Sequence, residues 1–513
     1  MNAPASFKYL KFQAKNIERD DPLYANIYGD SRALIVCGKY EGRDKQSADY
    51  LYGELAPQLP YVLTICEADS LTPEQEEYYN IIAIGTKQSN SYIARLCNDG
   101  IITPPDNKDG YRIKICDNPK NNQRQIFILA GGGDNGAFYA ASCFINKYLF
   151  EYGGKGDQYA PGYSGPAAND FLFTYKLKEV DFEDIPQIAE RGIWTWGHVI
   201  YDYKRFLNNM AHQRMNIITV WNDTVPINAK EFIEYAHSLG IKVIWGFSMG
   251  WGYAYDISDD NTLNKIIADA AENYRDNYMG LGGDGIYFQT FTETKDDSKD
   301  GINIAERVAV FVNNINKHFR EQFGNIRIQF GLHATSVKEH LDKIGTIDPK
   351  IEIVWEDCGS FPYEYNPKST EGYEETKAFT EQITTLRGEN EHFSAVLKGS
   401  STLSWSTFEH QMDVFNMGVW GNQYVKDEYA RRKGFWRIKN VLWLKNGELA
   451  HEIHEIIREK TKGAATIQYL IEAGVFEEKI SLSSAIAAQL MWNSNRKFLD
   501  IVYEAGLMSD VEF

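Results

Sequence analysis

Between Ala33 and Leu129 short aliphatic runs alternate with polar and amphipathic stretches. The runs are Ala33–Cys37, Val62–Ile65, Ile81–Ile84, Arg112–Ile115 and Ile126–Leu129, bounded by Gly, Asn or Asp, with a helical pattern through Asp49–Leu55. They predict a small α/β domain over residues 1–155. A loop-rich bridge follows, and from Arg191 the spacing lengthens. Strand candidates are Gly192–Trp196, Ile217–Trp221, Val243–Phe247, Gly285–Phe288, Ile326–Phe330, Ile351–Trp355, Ser394–Leu397 and a weaker eighth, Gly418–Trp420. The segments between them are amphipathic; Val308, Phe311, Ile315 and Phe319 recur at helical spacing and share one face. Eight strands alternating with helices predict a barrel over residues 186–424. Beyond it, Trp436–Leu444, Ile453–Arg458, Ala465–Ile471 and Leu482–Phe498 read as helices, giving a C-terminal helical domain over 425–513. The expected class is α/β: a (β/α)8 TIM barrel with a small N-terminal α/β domain and a C-terminal helical region.

Composition narrows the function. A chain of 513 residues exceeds what one hydrophobic core supports. Its formal charge of −18, with no basic stripe, repels nucleic acid and anionic membrane surfaces, so neither is an expected partner. The start, MNAPASFKYLKFQAKN, has no apolar signal core, and no window nears the roughly 18 apolar residues of a membrane span, so a cytoplasmic protein is expected. Six cysteines without CxxC spacing read as free thiols, and no zinc pattern is present. Gly131-Gly132-Gly133-Asp134-Asn135-Gly136 satisfies GxGxxG, but Lys147–Phe150 and a glycine-rich stretch follow where a strand and an acidic residue are required. It reads as a tight strand-to-helix turn, and no cofactor is expected. A homodimer through the C-terminal helices is compatible with the pattern.

In such barrels the chemistry sits at the carboxyl ends of the strands. Reading just past each apolar run collects Trp194, Trp196 and His198; Trp221, Asn222 and Asp223; Ser248, Met249 and Trp251; Gln289, Thr290, Thr292 and Glu293; His333; Trp355, Glu356 and Asp357; Lys398; and Trp420, with Trp405 on a loop. Indole faces cover the C–H face of a sugar ring while carboxylates and amides bind its hydroxyls, so an oligosaccharide is the expected substrate. Any one of these tryptophans could instead fill the barrel. Glycoside hydrolysis needs one carboxylic acid for the leaving oxygen and a second carboxylate to activate water or attack the anomeric carbon. Glu293, after an apolar strand, is the candidate acid, in a packed setting that would raise its pKa. Glu356 and Asp357 are the candidates for the second role, with Glu356 preferred; as neighbours on a strand, one faces the mouth and the other away. Asp223 suits a hydroxyl ligand, and His333 suits orienting a carboxylate, binding substrate or packing. A metal-assisted hydrolase using His198, His333 and Asp357 is a weaker rival without HxH or HExxH spacing, and no metal is expected. A sugar-binding barrel without catalysis is the rival of another class.

The order of a small α/β domain, a barrel opening at Arg191-Gly192 and a helical C-terminal region resembles the family-67 glycoside hydrolases, the α-glucuronidases, and more distantly the family-20 and family-84 β-N-acetylhexosaminidases. In these families the first domain ends in a Gly-rich turn and a helix with a Tyr-Gly step, similar to Gly133–Tyr139 followed by Ala140. The α-glucuronidase pattern Lys-Ala-Asp-Ser-Glu aligns with Gln289-Thr290-Phe291-Thr292-Glu293, so the resemblance implies that Glu293 is the acid. Its lysine, a ligand of the substrate carboxylate, is here Gln289, which argues against a uronic acid. The hexosaminidases carry Asp before the catalytic Glu; here Thr292 stands there, so a protein carboxylate must take the second role. Resemblance to the α-glucuronidases implies inversion. The expectation is an exo-acting glycosidase of small, mostly neutral oligosaccharides, with an α-glucuronidase or a hexosaminidase as alternatives.

Overall fold

The computed structural model describes residues 33–56, 63–148, 179–196, 200–222, 224–252, 254–356, 372–388, 391–400, 414–471, 476–507 and 511–512. The chain divides into two compact units, Met1–Pro186 and Gln187–Phe513.

The first unit is a six-stranded sheet with helices. Its strands are β1 (Ala33–Cys37), β2 (Leu63–Glu67), β3 (Asn80–Thr86), β4 (Tyr111–Asn118), β5 (Asn121–Gly131) and β6 (Val180–Asp184), in the order β2-β1-β3-β5-β4-β6. The first four in that order run parallel, and β4 is antiparallel to both β5 and β6. The glycine-rich turn joins β5 to the helix Asp134–Cys143, as its reading as a strand-to-helix turn anticipated. Its glycines serve close packing: a Cβ on Gly132 would lie 2.2 Å from the Asn107 carbonyl oxygen, and one on Gly136 2.1 Å from that of Gly110. The amides of Gly132 and Gly136 donate to the carbonyls of Gly110 and Lys108. Amides that would cradle a phosphate are thus already committed to the neighbouring loop.

The second unit is a closed parallel barrel of eight strands: β7 (Glu190–Trp196), β8 (Ile217–Trp221), β9 (Lys242–Ser248), β10 (Gly285–Gln289), then, after the two-residue hairpin strands β11 (Ser298–Lys299) and β12 (Ile302–Asn303), β13 (Ile328–Leu332), β14 (Ile351–Trp355), β15 (Phe393–Ser400) and β16 (Ala465–Ile471). The (β/α)8 architecture is as expected, and so are seven strand positions, the fifth lying two residues later than its apolar run suggested. The eighth strand is a correction. It is Ala465–Ile471, read above as helix, and it pairs with β15 on one side and β7 on the other. Gly418–Trp420 forms only an isolated bridge, Val419 to Asp202. A strand buried on both faces has no polar alternation, so a seven-residue apolar run cannot be told from buried helix by period. The 40-residue helix Asn422–Thr461 is therefore the crossover between the seventh and eighth strands, and the barrel continues past residue 424. No helix among the described residues is long and apolar enough to cross a membrane.

Side chains at alternate positions fill the barrel interior in layers. At the amino end Glu190 of β7 accepts hydrogen bonds from Arg327, Lys242 and Thr466, while Arg327 also holds Glu352 of β14. Burial pushes the Glu190 carboxyl up, but the hydrogen bonds and charges of Arg327 and Lys242 outweigh it and hold the group well below the usual range. Above this polar plug lies an apolar layer of Trp194, Ile217, Ile244, Tyr287, Val354, Val396 and Leu470. Large and small residues interlock there: a Cβ on Gly246 would lie 2.2 Å from that of Trp221, and one on Gly331 2.0 Å from the Tyr287 hydroxyl.

Candidate active site

The mouth at the carboxyl end is built on that layer. Trp194, Trp196, Trp221, Trp251 and Tyr287 form one aromatic cluster with mostly edge-to-face contacts: Trp194 lies 5.7 Å from Tyr287, Trp221 5.4 Å from Trp251 and Trp196 5.8 Å from Trp251, centroid to centroid. Trp194 and Trp221 are buried and fill the barrel, whereas Trp196 and Trp251 are part-exposed and wall the opening. Two of the predicted indoles lie elsewhere. Trp355 turns outward from β14 and packs on Phe379 of the helix Tyr373–Thr384, at 5.1 Å. Strand parity explains it: Val354 faces the barrel, so Trp355 cannot. Trp420 stacks on Tyr424 at 4.8 Å in the segment after the seventh strand and is 44% exposed. Asp223, Asp357, Trp405 and His198 lie outside the described residues.

Glu293 stands on the loop after β10. Thr292 anchors that loop: its carbonyl accepts the Ser336 hydroxyl at 2.7 Å, and its Oγ1 accepts the His333 amide at 3.3 Å. Buried in this way, Thr292 is turned into the loop packing. Next to it, the Glu293 carboxylate accepts the Trp251 indole N–H through Oε2 at 2.6 Å, and His333 Nε2 lies 3.8 Å from the same oxygen. The side chain is 45% exposed, a more open setting than the packed one expected from the sequence. A cavity of about 570 Å³ opens beside it, lined by Trp251, Thr290, Phe291, Asp296 and Lys299 among others.

Glu356, one residue past β14, is inward and only 2% exposed. Its backbone still follows the ladder, donating to the Leu332 carbonyl. Its Oε2 accepts the hydroxyl of Tyr287 at 2.5 Å, and that hydroxyl accepts the amide of Gln289 at 2.9 Å. Burial, then the charge and hydrogen bond of Glu356 and, further down, the charge of Glu293, push the Tyr287 phenol well above its ordinary value. Of the two carboxyls, Glu356 touches this buried phenol, and Glu293 acts on it only as the weakest of these charges. Gln289 is 3% exposed and committed to Tyr287. Lys398 is half-buried on β15, two residues beyond the inward Val396. Asn222 lines a second cavity, of about 450 Å³, with Trp221 and Ser248.

Sequence reading missed Tyr287, which looks like filler within Gly285-Ile286-Tyr287-Phe288. The available signal was parity: Tyr287 and Gln289 share a strand face with the loop that carries Glu293.

No protein-family profile and no curated protein matches the chain. Among solved structures the chain is similar to CpGH84B, with a TM-score of 0.51 and 12% identity over 93% of this chain and 70% of that one. CpGH84D aligns with a TM-score of 0.39 and 12% identity over 93% of this chain and 90% of that one. A third structure, described as a GH138 enzyme targeting pectin rhamnogalacturonan II, aligns with a TM-score of 0.46 and 11% identity over 91% of this chain and 52% of its own length. At this identity the first of these likenesses shows a shared fold.

Proposed function

We propose that the chain is a glycoside hydrolase, exo-acting on small oligosaccharides, with Glu293 as general acid and Glu356 as the second carboxylate. The observation that carries this reading is a carboxylate at the carboxyl end of each of two barrel strands, Glu293 held by Trp251 and Glu356 turned inward onto Tyr287, at a mouth walled by Trp196 and Trp251. Glycosidic cleavage asks for this division: an acid able to reach the leaving oxygen and a fixed carboxylate near the anomeric carbon. Trp251 fixes Glu293 through one oxygen, leaving the other to carry and deliver the proton. Glu356, held from beneath, serves as the base for water in an inverting reaction or as the nucleophile in a retaining one.

Two features favour a neutral sugar. Gln289, spent on Tyr287, provides no cation for a uronate, which argues against an α-glucuronidase. Thr292, buried in the loop, provides no carboxylate to steer an acetamido group, which argues against substrate assistance of the hexosaminidase kind.

The test is a screen of aryl glycosides and cell-wall oligosaccharides, with the anomer of the released sugar followed by NMR. On the substrate so found, Glu293→Gln and Glu356→Gln each lower kcat by about 10²–10⁴-fold. Undiminished turnover in either variant would refute that residue's role, and undiminished turnover in both would refute the reading as a whole.

A further inference from the structure

Resting on that reading, we infer that Tyr287 is a positioning residue, held by Gln289, that keeps Glu356 ionised and aimed at the mouth. The argument is one of hydrogen-bond direction. A phenol has one proton to give. Gln289 Nε2 carries only donors, so at 2.9 Å it uses a lone pair of the Tyr287 oxygen. The phenolic proton is then left for Glu356 Oε2, 2.5 Å away, and that oxygen must be an acceptor. Donation to the charged form of a carboxylate favours that form and opposes the effect of burial. The opposite polarity would need a protonated Glu356 that donates to Tyr287, with the amide of Gln289 reversed.

The surroundings keep the relay in register. Tyr287 is fully buried, wedged between Trp194 and Trp221 at 5.7 and 5.9 Å, and its hydroxyl sits over Gly331, where any side chain would collide with it. The other titratable groups on the inner faces at this level, among the described residues, are Glu293 after β10, His333 after β13 and Lys398 on β15. The remaining strands bring Trp194, Trp196, Trp221, Ser248 and Leu470, none of which ionises in the working range. A buried phenol that donates a strong hydrogen bond, and is not itself ionised, accounts for a tyrosine here where phenylalanine would fill the same space. It also divides the roles: Glu356 is the base or nucleophile, and Glu293 the acid.

The experiment is the pH dependence of kcat and KM for wild type and Tyr287→Phe on a substrate from the glycoside screen. Loss of a hydrogen bond to a charged group raises the acid limb of kcat by about one to two pH units. At the pH optimum kcat falls roughly tenfold to a hundredfold, while KM changes less than about twofold. A tyrosine that merely packs would leave the acid limb in place. An unmoved limb, or one shifted to lower pH, overturns the inference. Should Tyr287→Phe fold poorly, Gln289→Met leaves the phenol but frees its proton from a single direction; a smaller upward shift of the same limb is expected, and none refutes the relay. The two failures are separable: an inert Glu356→Gln beside an unshifted Tyr287→Phe removes only this inference, whereas a fully active Glu356→Gln removes the role of Glu356 on which it rests, and full activity of Glu293→Gln as well removes the functional reading.

Discussion

Glu477, just past the eighth barrel strand, is 2% exposed, and its Oε1 accepts the backbone N–H of Tyr201, which follows the first strand, at 2.8 Å. Its Oε2 is buried without a hydrogen-bond partner among the described residues. Burial raises this carboxyl from its ordinary 4.5 to about 7, although the backbone amides near it pull the other way. Because the folded value lies above the unfolded one, the protonated form stabilises the fold. That contribution is fully present below about pH 4.5, drops as the pH rises through about 7, and then levels off. The interval corresponds to about 3 kcal/mol. Glu477→Gln mimics the protonated acid: the acceptor for Tyr201 remains and the charge is gone. At pH 4.5 the variant should match wild type to within about 1–2 kcal/mol, since the acid then buries one unpaired O–H donor and the amide an NH2 with two. At pH 8.5 it should be the more stable by about 3 kcal/mol. Urea unfolding followed by tryptophan fluorescence reads the barrel unit alone, since all 11 tryptophans lie at or beyond Trp194. Taking the difference between the two proteins at each pH cancels the titration of every other group. A difference that stays constant from pH 4.5 to 8.5 would refute the reasoning, because it would mean that the Glu477 carboxyl does not change ionisation differently in the folded and unfolded chains.

The polar plug at the opposite end makes the reverse prediction. Glu190→Gln leaves Arg327 and Lys242 short of a partner and should cost about 3–5 kcal/mol near neutral pH. Since the Glu190 carboxyl is depressed in the fold, its contribution is present above about pH 4.5 and lost as the pH falls further, so the gap to wild type narrows on acidification; the same unfolding series checks this. Gly331→Ala places a methyl 2.0 Å from the Tyr287 hydroxyl, and the ring, packed by Trp194 and Trp221, has nowhere to retreat. Overpacking of about 1–3 kcal/mol is expected, with kcat lowered in the same direction as by Tyr287→Phe; wild-type stability and turnover together would show that the contact is not tight.

Much of the candidate site was legible because strands obey a period of two and barrels expose the carboxyl ends of their strands. Glu293, Glu356, His333 and Trp251 follow from those rules alone, as does the statement that one of Glu356 and Asp357 faces inward. What the rules omit is register in depth. Whether an indole at the end of a strand fills the barrel, as Trp194 and Trp221 do, or walls its opening, as Trp196 and Trp251 do, depends on how far the neighbouring strands reach.

The amino-acid sequence alone determined seven of the eight barrel strands, the helical crossovers and the face on which a candidate acid must stand, because burial and local period are written residue by residue. Only the tertiary structure decided the eighth strand, since Ala465–Ile471 becomes a strand by pairing with β7, more than 270 residues earlier. It likewise decided the partner of Glu356, a phenol 69 residues away in the chain that local sequence cannot distinguish from packing. Such contacts arise from closure of the barrel, which brings together groups that no short window contains.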